Sequence, residues 1–310
     1  MSRIAESPES KQDGAAGRHD LSPAISTVRV TYPDLHGIQR GKDIPVGELE
    51  LATDRGLNFC WAVMGTDLGH TPVVGGEQGY PDMVARPDLE TLVELPWEPD
   101  VASCLADLER NEQPEPTDQR GLVRRAESEL AELGLTAVIG PELEFFLCES
   151  DGEGGWRRMV DNLSMVYTVG PQADRDGVFR GLLEACAAMG IGAISGNHEY
   201  MNSQYEINLL ERAPLAASDA AFRFKAAVKD YAAQRGLLAT FMGKPFNDQG
   251  GSGSHVHLSL ERDGRNCCGD EQGEHGLSDE LRHFVGGVLE HAPALMAFLN
   301  PTINAYRRIL

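Results

Sequence analysis

Two glutamates stand one residue apart in Gly140-Pro-Glu142-Leu-Glu144-Phe-Phe-Leu147. In an extended strand, residues i and i+2 share a face, so Glu142 and Glu144 project together while Leu143 and Phe145 project the other way. Neighbouring carboxylates repel unless solvent or a cation screens them. A second acidic pair lies in Gly196-Asn-His198-Glu199-Tyr-Met-Asn-Ser-Gln204-Tyr-Glu206-Ile-Asn208, flanked by apolar and amide side chains and by no lysine or arginine. The third element is Gly250-Gly-Ser-Gly253-Ser-His255-Val-His257-Leu-Ser259-Leu260. Its glycines suit close approach of a ligand to backbone, and the strand pattern behind them puts His255, His257 and Ser259 on one face. Taken singly, each element also reads as an ordinary solvated edge or loop.

Taken together, four glutamates and a histidine from three strand edges make a divalent-cation site. Oxygen-dominated ligation favours Mg²⁺ or Mn²⁺ over zinc, which prefers more imidazole or thiolate. Such ions can clamp a transferring phosphoryl group and neutralise its developing charge.

These residues need strands to carry them. Thr27 to Tyr32 alternates apolar and polar residues, Pro33 to Gly37 reads as a turn, and Ile38 to Ile44 as the returning strand. A short helix from Val46 to Gly56 and strands at Leu57–Val63 and Thr91–Leu95 complete a small first unit. Asn111-Glu-Gln-Pro-Glu-Pro116 is a polar, proline-bearing boundary. Beyond it, a helix capped at Thr117 or Asp118 carries the stripe Leu122, Ala126, Leu130, Leu133. Strands are expected at 135–148, 205–210, 237–242 and 255–260, and helices at 178–189, 217–235 and 277–299. This alternation fits α+β or α/β, and periodicity leaves both open.

Composition limits the partners. The net charge of −21 and pI near 4.8 repel nucleic acid and anionic membranes. No run of eighteen apolar residues is present, and the polar start lacks a secretory h-region. Residues 1–23 read as a disordered tail. Six scattered cysteines without a C-x-x-C pair fit reduced thiols and a cytoplasmic location.

The segments resemble the glutamine synthetase family in order and wording. The resemblance is carried by Asp34-Leu-His-Gly37-Ile-Gln-Arg40-Gly-Lys42, by the three elements above, by Ala239-Thr-Phe-Met-Gly-Lys244-Pro-Phe, and by Asn300-Pro-Thr-Ile-Asn304-Ala-Tyr306-Arg-Arg308. It runs from about residue 26 to residue 310. It implies an α+β fold: an N-terminal β-grasp domain over 24–112, then a catalytic domain of curved antiparallel sheet and helices over 117–310. It also implies a ligase that phosphorylates the γ-carboxylate of glutamate with ATP and passes the acyl group to an amine. Glu144, Glu199 and Glu206 match the family's first metal site, and Glu142 and His255 match ligands of the second, for Mg²⁺ or Mn²⁺. Gly251 matches a backbone contact to glutamate, His257 and Ser259 match nucleotide contacts, and Arg308 matches a catalytic arginine that grips substrate carboxylate. Homo-oligomeric rings, commonly dodecamers of two hexamers, are implied as well.

Two departures bear on activity. Ammonia-using members carry Asp-Gly-Ser-Ser after the β-grasp strand, and the corresponding stretch here, Asn58-Phe-Cys60-Trp61-Ala-Val-Met-Gly-Thr-Asp67, lacks that aspartate and those serines. Loss of that aspartate resembles the γ-glutamyl polyamine and monoamine ligase branch, with Trp61 either contacting a carbon-bearing amine or packing in the core. The resemblance further implies that members continue past the Tyr-Arg-Arg stretch with one more metal-binding glutamate and further arginines. The chain is therefore expected to be a fragment, or a naturally short form with an incomplete second metal site. A catalytically inactive assembly or regulatory subunit, and phosphotransfer without ligation, are the alternatives.

Overall fold

The computed structural model describes residues 21–159, 165–248 and 250–309, so residues 1–20 of the expected tail lie outside it. The first sheet opens with a hairpin of β1 (Thr27–Pro33) and β2 (Gln39–Pro45). Its turn forms because the Asp34 carboxylate accepts the amides of His36 and Ile38, both at 2.9 Å, while Gly37 takes a positive φ of 69° that favours glycine. Val28, Val30 and Tyr32 enter the core by strict alternation. A 3₁₀ turn and α1 (Leu49–Arg55) follow, closed by Gly56. Next come β3 (Leu57–Cys60), β4 (Asp82–Leu95), β5 (Glu98–Arg110) and the two-residue β6 (Gln113–Pro114). The strand order is β2-β1-β5-β4-β3, with β6 on β5; only β1 and β5 run parallel.

Three expectations change here. The strand expected to reach Val63 stops at Cys60 and turns into a 3₁₀ helix over Trp61–Gly65. Thr91–Leu95 is only the end of a long β4. The central strand β5 was not legible, because Val101, Ala102, Cys104, Leu105, Ala106 and Leu108 are buried on both of its faces. A strand covered on both sides has no period of two.

Then come α2 (Gln119–Glu132), β7 (Thr136–Ser150), β8 (Trp156–Arg158), α3 (Val178–Ala188), β9 (Ala193–His198), β10 (Gln204–Leu209) and α4 (Pro214–Ala233). The remaining elements are β11 (Leu237–Thr240), β12 (Ser254–Arg262), β13 (Arg265–Asn266), α5 (Asp279–Leu299) and α6 (Ile303–Ile309). The second sheet has the order β13-β12-β7-β10-β9, with β8 and β11 also on β7, and every pairing is antiparallel. That settles α+β over α/β, since an α/β fold needs parallel strands.

The inner face of this sheet presents Phe145, Leu147, Tyr205, Ile207 and Leu209 to α3 and α4, where Leu182, Cys186, Phe224 and Val228 close the core. Each such side chain, fully buried, contributes roughly 1.5–3 kcal/mol. Because side chains alternate, this burial forces 142, 144, 204, 206 and 208 onto the opposite face. Asp118 caps α2 by accepting the amides of Arg120 and Gly121, as the sequence suggests. The apolar stripe of α2 is not a core face, however: Leu122 is 46% and Leu133 67% exposed, and the helix buries Arg120 instead. Among the described residues no helix is long and apolar enough to cross a membrane.

Candidate active site

Register delivers the acids to one place. Glu206 of β10 pairs across from Glu144 of β7, Asn208 across from Glu142, and on the other side of β7 His255 of β12 also sits across from Glu142. Side chains at such facing positions lie close enough to interact. Ligand atoms of Glu142, Glu206 and His255 all lie within 4.8 Å of one another. This trio draws on both of the ligand sets the family resemblance implies. Glu199 follows β9, with its amide bonded to the Gln204 carbonyl at 2.8 Å. Its carboxylate accepts Asn197 Nδ2 at 2.8 Å, and Glu206 accepts Asn208 Nδ2 at 3.2 Å.

Neighbouring carboxylates act on Glu206 and Glu144. Burial pushes the Glu206 carboxyl above the usual carboxylate range; the Asn208 hydrogen bond opposes this, and the charges of Glu142, Glu199 and Glu144 add to it. Burial likewise raises Glu144, the Gly253 amide opposes, and the Glu199 charge adds. Glu142 behaves differently. Burial raises it, but His255 Nδ1 at 3.2 Å and His257 Nε2 at 2.9 Å outweigh that and hold it low. A half-buried group of mutually repelling oxygens with one imidazole among them is a donor set that fits a hard divalent cation.

The glycine loop meets the same cluster. Gly253 donates its amide to Glu144 Oε2 at 2.8 Å and accepts the Glu144 amide at 3.2 Å. Ser252 donates to the Gly243 carbonyl at 3.0 Å, and Arg308 Nε donates to the Ser252 carbonyl at 3.2 Å. Arg308 of α6 therefore lies against Gly251, with its charge lowering Glu144. The buried Ser252 hydroxyl has no protein partner among the described residues, an unusual state that a ligand would relieve. On the other side of Glu142 opens a cavity of about 370 Å³, lined by His257, Ser259, Ile194, Leu209 and Leu258 among others. It combines apolar walls with a few polar groups, as small-molecule sites do.

Of the nine residues singled out from the sequence, eight are thus placed on this face or on the loop beside it, and Arg308 packs against that loop from α6. His257 differs in detail, since it brackets Glu142 together with His255 while also lining the cavity. Trp61 is not at the cluster: it packs against the first core with the Arg110 guanidinium over its ring at 4.4 Å, and its buried Nε1 has no hydrogen-bond partner among the described residues. Sequence reasoning missed Gln204, which is 3% exposed and bonds both Glu144 and Gly251. Its place two residues before Glu206 on the same strand face was the available signal.

The profile of the glutamine synthetase catalytic domain matches residues 116–310. A protein named glutamine synthetase from Pyrococcus abyssi is 33% identical over 285 residues, covering 91% of this chain and 61% of that protein. One of the same name from Rhizobium leguminosarum bv. phaseoli is 35% identical, covering 96% and 66%. The chain thus spans roughly three fifths to two thirds of the length of the curated relatives it matches. A solved structure titled "Apo GmaS without ligand" superposes with a TM-score of 0.81 at 32% identity, covering 92% of this chain and 66% of that one. Another, titled "GmaS/ADP complex-Conformation 1", gives 0.79 at 31% identity, covering 91% and 64%. With its curled antiparallel sheet, its acid-lined face and this match over most of its length, the chain belongs to the glutamine synthetase family.

Proposed function

We propose that the chain forms most of an ATP-dependent ligase that joins an organic amine to the γ-carboxylate of glutamate through γ-glutamyl phosphate. The observation that carries this reading is the meeting of Glu142, Glu206 and His255 within 4.8 Å, between a cavity on one side and the Gly251–Arg308 loop on the other. The cavity would take the nucleotide, its base against Ile194 and Leu258 and its polar groups at His257 and Ser259. Gly251 and Arg308 would hold glutamate, the forked guanidinium matching a carboxylate. Glu142, Glu144, Glu199, Glu206 and His255 would hold Mg²⁺ or Mn²⁺, which when bound screens the repulsion between two anionic substrates. The glutamate γ-oxygen attacks the terminal phosphorus and ADP leaves. The amine nitrogen then attacks the acyl carbon, phosphate departs, and the amine gives up a proton. The protein's part is to align these groups and shield them from water.

We further assign 24–112 to a β-grasp domain and 117–310 to the catalytic domain of a cytoplasmic homo-oligomer, a dodecamer of two hexameric rings. The amine preference is supported by the 58–67 stretch, which lacks the Asp-Gly-Ser-Ser of ammonia-using members, and by the solved structures titled GmaS. Ammonia is the second reading, favoured by relatives named glutamine synthetase. Incubating the protein with ATP, Mg²⁺, glutamate and either ammonium or a panel of alkylamines, and weighing the amide by mass spectrometry, separates the two. The expected result is kcat/KM for the best amine about tenfold above ammonium, the scale on which a pocket reads one methyl group. Equal or better turnover of ammonium than of every amine rejects the preference, and no amide from any of them rejects the ligase.

A further inference from the structure

Gln204 is a buried amide set between the acid cluster and the glycine loop. Its Nε2 lies 2.6 Å from Glu144 Oε2 and 3.2 Å from the Gly251 carbonyl oxygen. Both neighbours are acceptors only, so chemistry fixes which end of the amide is nitrogen, and its two hydrogens serve one acceptor each. Glu144 Oε2 also receives the Gly253 amide, at 2.8 Å. A closed ring results: Glu144, Gln204, the Gly251 carbonyl, and back through Ser252 and the Gly253 amide to Glu144. Gln204 is 3% exposed, on a β10 anchored by Tyr205 and Ile207 in the core, so the amide has little freedom to move. Neither acceptor can shift without disturbing the other.

Resting on the ligase reading for the identity of the two ligands, we infer that Gln204 is a positioning residue that couples cation binding at Glu144 to glutamate binding at Gly251. It acts through its bonds to Glu144 and to the Gly251 carbonyl. It orients the carboxylate that faces the cation and, through the same nitrogen, the loop that receives the amino acid. Partners of this kind, one bond removed from a cation, typically change its affinity by about 10- to 100-fold. Coupling is reciprocal, so glutamate should tighten the cation by the factor by which the cation tightens glutamate.

The test measures Mn²⁺ binding to the protein by the loss of the free-ion electron paramagnetic resonance signal, with and without saturating glutamate. In the parent chain glutamate should tighten Mn²⁺ several-fold. In Gln204→Leu the Mn²⁺ Kd should rise about tenfold and the coupling factor should fall to about one. Gln204→Asn keeps the amide but is one methylene too short to reach both acceptors, and it should lose coupling too; it serves if the leucine variant unfolds. Ser203→Ala removes a neighbouring buried hydroxyl that bonds the Met159 carbonyl, and it should leave coupling intact. Parent-like coupling in either Gln204 variant overturns the inference and leaves the ligase standing. A parent chain that binds Mn²⁺ with no response to glutamate, or binds none, overturns both.

Discussion

Gly251→Ala is expected to lower kcat/KM for glutamate at least about 100-fold, the scale of a misplacement near 1 Å in a reacting group. A Cβ at this position would fall on Arg308 Cδ and on the Gly243 carbonyl oxygen, and one of these is backbone that cannot swing aside. The loop would have to back away, taking the Ser252 carbonyl from Arg308. Nucleotide binding, on the far side of Glu142, should survive. Gly253→Ala makes a contrasting pair. Its Cβ would lie 2.6 Å from Glu144 Oε1, so the damage should fall first on Mn²⁺ affinity. Gly286→Ala in α5 meets nothing within 4 Å and should be neutral, or stabilising by up to about 1 kcal/mol through helix propensity. Steady-state titration of glutamate, with ADP release as readout, checks the first, and Mn²⁺ binding checks the second. Unchanged glutamate dependence in Gly251→Ala removes the loop from the substrate site.

Why so much of this face was legible follows from the alternation of side chains. Glu142, Glu144, Glu206, His255 and His257 are separated by apolar residues of opposite facing, and burial of Phe145 and Ile207 fixes which way the acids point. The family resemblance then supplied the grouping of these residues into one site, which spacing alone cannot. What stayed hidden was structure with no local signature. The doubly buried β5 has lost its alternation, and β9 contains a glycine and short polar residues that read as loop. The stripe on α2 misled for another reason. Leu122 and Leu133 obey helical spacing, yet the helix is docked through the charge of Arg120 rather than through an apolar face. Gln204 was passed over because its one signal, a place two residues before Glu206 on the same face, says nothing of the two acceptors that converge on it.

Removing that buried guanidinium is expected to cost about 3–5 kcal/mol of stability, the usual penalty for breaking a buried ion pair from one side. The Arg120 side chain is 4% exposed and meets Asp88 at 2.6 Å, Asp107 at 2.5 Å and Asp219 at 2.9 Å. Those partners come from β4, β5 and α4, so one side chain of α2 joins the first sheet to the long helix under the second. Burial already pushes the Asp219 carboxyl up against the pull of Arg120. In Arg120→Met, Asp219 would lose its fork, and Asp88 and Asp107 would be left to the half-exposed Arg124 alone. Lysine would not fully rescue: its ammonium has three donors on one compact atom, whereas the extended guanidinium holds both oxygens of Asp219 and still reaches Asp88 and Asp107. Arg124 also bonds Asp107, at 2.6 Å, but is 40% exposed, and Arg124→Ala should cost no more than about 1 kcal/mol. Denaturant unfolding followed by tryptophan fluorescence measures both. Adding Asp219→Asn to Arg120→Met should recover part of the loss, since it removes one of the stranded charges. A loss below about 1 kcal/mol for Arg120→Met would show that hydrophobic contact, not this charge cluster, holds the two halves together.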